Sequence, residues 1–380
     1  MTIDPWHFRR DQLADQVLST LSHGPAQALS LFAPRRAGKT EFLVQDLVPH
    51  AEARGHRVIY ASFWQAPLSP LAVLLHALEK SLEQGRLADR IRTSAWRMAP
   101  KLKLSAAIPG TGTGAEAEID LTRLKGEPPP DLLFHLDDLL GRVSRKGRPT
   151  ILLLDEVQEL ARSRSNAPLV AALRTGLDTR RDGLKAVFTG SSRAGLTAMF
   201  SNREAPFFHF ATPIDLPMLG KPFVDHVVAV FRKTSKRDLD PERMLDAFNR
   251  LHRNPYFFRL LAQTMLYDAE HTISSALEHV RERIAADLGY PEAWLGLTPI
   301  QRETARALAM GAVKPFSRVF RQALGAALGD DPPSAAQVQA ALRRLERLGI
   351  VDTARGVWEL EDPGFGGWIT ARSEDRSRDG

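Results

Sequence analysis

The stretch LFAPRRAGKTEFL, residues 31–43, decides how the chain is read. Apolar residues suited to a buried strand lead into it, and residues at helical spacing follow it. Between them stand a proline, two arginines and Gly-Lys-Thr. A phosphate-binding loop of the form G-x-x-x-x-G-K-[ST] sits between a strand and a helix in this way. Residues 33–40, APRRAGKT, match it except that Ala33 replaces the first glycine. Alanine is small and fits there if its φ is negative. In such a loop Pro34, Arg35, Arg36, Ala37, Gly38, Lys39, Thr40 and Glu41 would wrap a phosphate chain. Backbone N–H groups converge on the phosphates, and the helix N-terminus adds partial positive charge. Lys39 would reach the β- and γ-phosphates, and the Thr40 hydroxyl would bind Mg²⁺.

Two further strand ends carry compatible chemistry. ILLLDE, residues 151–156, is an apolar strand ending in two acids. Asp155 would hold Mg²⁺, directly or through water, and Glu156 would act as general base on the attacking water. Gln158 reads as exposed. VFTGSSR, residues 187–193, ends a second apolar strand in small polar residues and an arginine. Thr189 or Ser191 would sense a γ-phosphate by hydrogen bond, or Arg193 by charge. Arg203 lies just before the next strand, where an arginine acting on a neighbouring subunit would stand.

Outward from these motifs, strands at 26–33, 56–64, 149–154, 184–193 and 207–219 alternate with helices at 41–55, 70–85, 131–147 and 168–183. Continuously apolar strands in such alternation predict an α/β fold, a parallel sheet with helices on both faces. Ligands of such sheets bind at the carboxyl ends of the strands. LKLSAAIPGTGTGAEAEIDL reads as a β-hairpin insertion at about 100–125. The basic run 86–103 reads first as a solvated face and second as support for a nucleic-acid partner. From residue 221 the pattern turns helical. The expected organisation is a nucleotide-binding core over 1–220, a helical lid over 221–292, a further domain over 293–370 and a disordered tail over 371–380.

The 380 residues contain no cysteine, which excludes disulfides, thiolate metal sites and cysteine nucleophiles and fits a cytoplasmic location. The early charges of MTIDPWHFRRDQ do not suit a secretory signal, and no apolar run is long enough for a membrane span. Net charge is +6, a modest argument for a nucleic-acid partner.

The ordered set APRRAGKT, ILLLDEVQEL, VFTGSSR and RNPYFF resembles the P-loop ATPases of the AAA+ and STAND kind, and most of all the archaeal-type ATPases. The resemblance implies ATP and Mg²⁺ as cofactors, ATP hydrolysis, and ATP-dependent assembly in which an arginine of one protomer completes the next site. It makes Phe8 and Arg10 the counterparts of an adenine-side element. Pro255, after Asn254 where the family has glycine, is the counterpart of a lid proline near the base. Residues 293–370 resemble the winged-helix domains joined to such ATPases. Arg343, Arg344 and Arg347 lie on the expected recognition helix and Arg355 at the wing tip, where they would meet DNA phosphates. Residues 297–380 hold twelve Lys/Arg against eleven Asp/Glu, so a protein partner for this domain stays open beside DNA. The two functional expectations are a DNA-associated ATP-hydrolysing machine and a slow nucleotide-dependent switch with a protein partner.

Overall fold

A computed structural model describes residues 4–84, 102–104, 117–119, 130–145, 148–191, 193–200, 203, 205, 207–353 and 357–378. The chain forms two compact units. One comprises Arg9–Arg35 and Lys39–Leu216; the other comprises Met1–Phe8, Arg36–Gly38 and Pro217–Gly380.

The first unit opens with helix α1 (Asp11–His23), whose Ala14, Val17, Leu18 and Leu21 repeat at helical spacing and are buried. Strand β1 (Ala28–Phe32) enters the loop at 33–38. The loop is followed by α2 (Lys39–Glu41), a wider π-helical stretch at Phe42–Leu47, and α3 (Val48–Ala53). Strand β2 (Arg57–Ser62) and helix α4 (Pro70–Gln84) come next. Strands β3 (Leu102–Leu104) and β4 (Ala117–Ile119) pair antiparallel, the hairpin expected at 100–125. Most of the basic run at 86–103 lies outside the described residues. Helix α5 (Pro130–Val143), strand β5 (Thr150–Asp155), helix α6 (Ala167–Asp178), strand β6 (Leu184–Gly190), helix α7 (Arg193–Phe200) and strand β7 (Ala211–Asp215) complete the unit.

The main sheet has the order β2-β5-β6-β1-β7 and is parallel throughout. Strand β5 is buried at every residue because it is a central strand with neighbours on both sides and helices over both faces. Register pairs Phe32 with Gly190 and with Asp215, and Ser62 with Asp155. The carboxyl ends of the strands are therefore aligned, and β6 lies between the strand that feeds the loop and the strand that ends in two acids.

The second unit is helical: α8 (Lys221–Ser235), α9 (Pro241–Arg250), α10 (Pro255–Tyr267), α11 (Ile273–Asp287), α12 (Tyr290–Leu295), α13 (Pro299–Ala309), α14 (Arg318–Leu328) and α15 (Ala335–Arg347). A short antiparallel pair, β8 (Val351–Asp352) with β9 (Glu359–Leu360), precedes α16 (Pro363–Arg378). One hydrophobic core runs from Phe223 to Ile369 through all these helices. The segment at residues 4–8 belongs here as well. Phe8 packs edge-on against Phe223 and His226, and Asp4 pairs with Arg259 at 2.7 Å.

Helix α16 corrects the expected disordered tail at 371–380, since it continues to Arg378. Its start is anchored by buried Phe365 and Ile369, and the polar run ARSEDRSR continues a helix already nucleated there. Among the described residues no helix is long and apolar enough to cross a membrane.

In the first unit, fully buried Phe188 on β6 meets the rings of Phe207, Phe200 and Phe210 at 5.0, 5.3 and 6.3 Å between centroids. Replacing it with alanine is expected to destabilise this unit by about 3–5 kcal/mol, read as a lower denaturant midpoint by circular dichroism.

Candidate functional site

Asp155 is the centre of the aligned strand ends. Its Oδ2 accepts from Thr40 Oγ1 at 2.9 Å and from the Tyr60 hydroxyl at 2.9 Å. Its Oδ1 accepts from the Thr189 hydroxyl in a short hydrogen bond and from the Glu156 N–H at 3.1 Å. Four donors from β2, β6, the loop helix and the chain itself hold one buried carboxylate, which makes a charged group tolerable there. Burial first, and then Asp155, push the Tyr60 phenol far above its usual pKa, so that it stays a donor.

The loop between β1 and α2 carries two residues with positive φ. Gly38 has φ +85°, a region where L side chains are strained. Ala33 has no positive φ, which is the condition under which alanine can replace the first glycine. Arg36 does take a left-handed φ, 63°. Lys39 is buried, and its Nζ donates to the carbonyls of Ala33 at 2.8 Å and Pro34 at 3.1 Å. Burial lowers its pKa from the ordinary lysine value; Glu156 and Asp155 oppose the shift, and Arg35 adds to it. The loop thus closes on its own lysine, with the ammonium within the electrostatic reach of both acids.

Thr40 and Asp155 fit the Mg²⁺ that the resemblance implies. Both offer hard oxygen atoms, and those atoms stand 2.9 Å apart. An octahedral ion with ligands at about 2.1 Å has adjacent oxygens about 3 Å apart. Among the described residues no cluster of three His, Asp or Glu side chains suits a metal elsewhere.

Glu156 follows β5 in a left-handed backbone conformation, φ 56° and ψ 46°. This strained geometry turns its side chain back toward the end of β6. There its Oε2 accepts from Ser191 Oγ at 2.7 Å, Ser191 N at 3.2 Å and Gln158 Nε2 at 2.5 Å. Ser191, expected to face a phosphate, here faces the glutamate.

Gln158 corrects its sequence reading: it is 7% exposed, not solvated. It falls in a tight 3₁₀ turn at Val157–Arg162 that wraps back over the strand ends, so strand alternation says nothing of its direction. Also missed were Trp64, whose indole N–H donates to buried Glu159 at 3.1 Å, and Tyr60. Arg35 stacks over Trp64 at 5.3 Å. A tyrosine within β2 and a tryptophan just past it were the available signals.

The remaining candidates are spread. Arg10 is largely buried, with Asp46 and Glu41 as charged neighbours. Phe8 belongs to the other unit, so the expected adenine-side pair is divided between the two. Pro255 is the first residue of α10, and Asn254 caps that helix by accepting from Tyr256 N and Phe257 N. Arg193 opens α7, and its side chain is outside the described part. Arg203 is exposed in the loop before β7. Arg343, Arg344 and Arg347 are exposed on α15 and carry no ion pair among the described residues. Arg355 lies outside the described residues.

No family model matches the sequence, and no curated protein matches it. Solved structures do. The Walker-type ATPase PABY2304 of Pyrococcus abyssi superposes with TM-score 0.65 at 15% identity, over 96% of this chain and 96% of that one. The ORC2 protein of Aeropyrum pernix in its ADP form gives 0.54 at 16% identity, over 95% of this chain and 93% of that one. The chain has the P-loop fold of these archaeal proteins. That is the fold that the archaeal-type resemblance of the motifs implies.

The Thr189 hydroxyl is the only β6 side chain that donates to Asp155 among the described residues. A Thr189→Val substitution keeps the shape and removes that donor. It is expected to cost about 1.5–3 kcal/mol, the usual loss for a buried hydrogen bond to a charged group, in urea unfolding.

Proposed function

We propose that the protein binds and hydrolyses ATP with Mg²⁺, as an AAA+/STAND-like ATPase that assembles into an ATP-dependent homo-oligomer and acts on DNA. The observation that carries the nucleotide reading is the 2.9 Å approach of Thr40 Oγ1 to Asp155 Oδ2, beside a buried lysine in a phosphate-binding loop. Lys39 would exchange its two loop carbonyls for phosphate oxygens, which are better partners for an ammonium. Glu156 would accept the proton of the attacking water. Thr40 and Asp155 would hold Mg²⁺, which would supply positive charge against the charge that develops on the phosphates. Arg193 or Arg203 would supply a further positive charge, in the same protomer or the next.

Residues 221–292 are read as the helical lid and 293–370 as the winged helix. Three helices followed by the β8–β9 pair support the second reading. Three exposed arginines on α15, without ion-pair partners among the described residues, favour DNA as its ligand. The near balance of twelve bases and eleven acids over 297–380 favours a second reading, a slow switch whose winged helix meets a protein.

Lys39→Ala is expected to remove ATP binding, measured by fluorescent nucleotide titration. Glu156→Gln should bind ATP as the wild type does and turn it over about 10²–10⁴-fold more slowly. DNA should raise the wild-type rate; a rate indifferent to DNA leaves the switch as the better reading. Replacing Arg343, Arg344 and Arg347 together with alanine should weaken DNA binding. It should also flatten the salt dependence, by about 0.9 log units of slope for each phosphate that is no longer neutralised.

A further inference from the structure

Gln158 is placed in a way that ordinary packing does not explain. Its side-chain nitrogen donates to Glu156 Oε2 at 2.5 Å and approaches Ser191 Oγ at 3.4 Å. Its side-chain oxygen is buried and has no hydrogen-bond partner among the described residues. The amide cannot be turned round to relieve this. Turned round, its oxygen would face the glutamate's carboxylate oxygen, two acceptors against each other, and a donor would be taken from the charge. A buried amide oxygen left without a donor costs stability, and a methionine of the same length would not carry that cost. The chain keeps glutamine where an apolar residue would be easier to bury.

A second feature keeps the place open. Gly190 ends β6 beside this amide, and a Cβ there would fall 2.5 Å from Gln158 Oε1 and 2.9 Å from Leu196 Cδ2. Its φ is not positive, so the backbone does not demand glycine. The space does.

Three donors meet on Oε2 of Glu156: Gln158 Nε2, Ser191 Oγ and Ser191 N. Among the described residues no hydrogen bond falls on Oε1. We propose that Gln158 is a positioning residue: with Ser191 it fixes one carboxylate oxygen of Glu156 so that the other is aimed as the proton acceptor for hydrolysis. Gly190 leaves the space that admits it. The proposal rests on the reading of Glu156 as the general base. Ser191 alone grips the carboxylate from one side, and the Gln158 amide prevents rotation about that grip. Misalignment of a general base costs rate without weakening nucleotide binding, since Glu156 is not among the residues that hold the phosphates.

Three variants test this: Gln158→Met, which keeps the volume and removes the donor; Gln158→Ala; and Gly190→Ala, which leaves Gln158 in the chain and displaces its amide. Steady-state ATP hydrolysis and crystal structures of wild type and Gln158→Met provide the readouts. We expect kcat to fall at least tenfold in each variant with KM for ATP within twofold. Gln158→Met should melt no lower than wild type, and Gln158→Met with Gly190→Ala should lose no more than either alone. In the Gln158→Met crystal the Glu156 carboxylate should rotate away from its wild-type orientation. A kcat for Gln158→Met within twofold of wild type would mean that only side-chain volume matters and would overturn the proposal. An unmoved carboxylate in that crystal would overturn it as well. If the wild type hydrolyses no ATP, the hydrolysis reading falls by itself. The crystal comparison then decides alone whether Gln158 orients Glu156.

Discussion

The first unit is organised around one buried negative charge. Asp155 sits at the end of a strand with no exposed residue, where an unpaired carboxylate would be expensive. Its four donors come from widely separated parts of the chain: the helix after the loop, β2, β6 and the adjoining peptide. Each of these must be in register for the charge to be satisfied. The same demand fixes the Thr40 hydroxyl against the acid and sets the loop above the sheet. Parallel pairing does the rest, because it brings all five carboxyl ends to one edge.

A second acid, Glu156, is treated differently. Where Asp155 accepts on both oxygens, Glu156 accepts on one among the described residues. The backbone at this residue is left-handed, a conformation that a glutamate adopts only when its surroundings compensate. Two adjacent carboxylates thus have different donors; in the proposed reading the first would hold a cation and the second would accept a proton. The difference comes from the donors that surround each acid: β2, β6 and the helix after the loop for Asp155, and the turn after β5 with the residue past β6 for Glu156.

Much of this is legible in the sequence because it is local. Gly38, Lys39 and Thr40 announce themselves by spacing, and the run TILLLD by having no polar interruption. The sheet class follows from the alternation of apolar strands and helices. What stays hidden depends on distant residues meeting, or on departures from regular periodicity. Gln158 reads as solvated because the turn after β5 has no period to read. The π-helical stretch at Phe42–Leu47 looks in sequence like ordinary helix; the buried acid Asp46 within it is visible only in the fold. The extension of α16 is obscured by glycines at its start and charges at its end. The resemblance pairs Phe8 with Arg10 at an adenine-side element, and the packing of Phe8 against Phe223 and His226 is visible only in the fold.

That last assignment bears on how the protein is made. The aromatic on which Phe8 docks is synthesised more than two hundred residues after it. Asp4 likewise waits for Arg259. Both contacts close over a long stretch of chain, so residues 4–8 reach their partners only once the helical unit that carries them has been made.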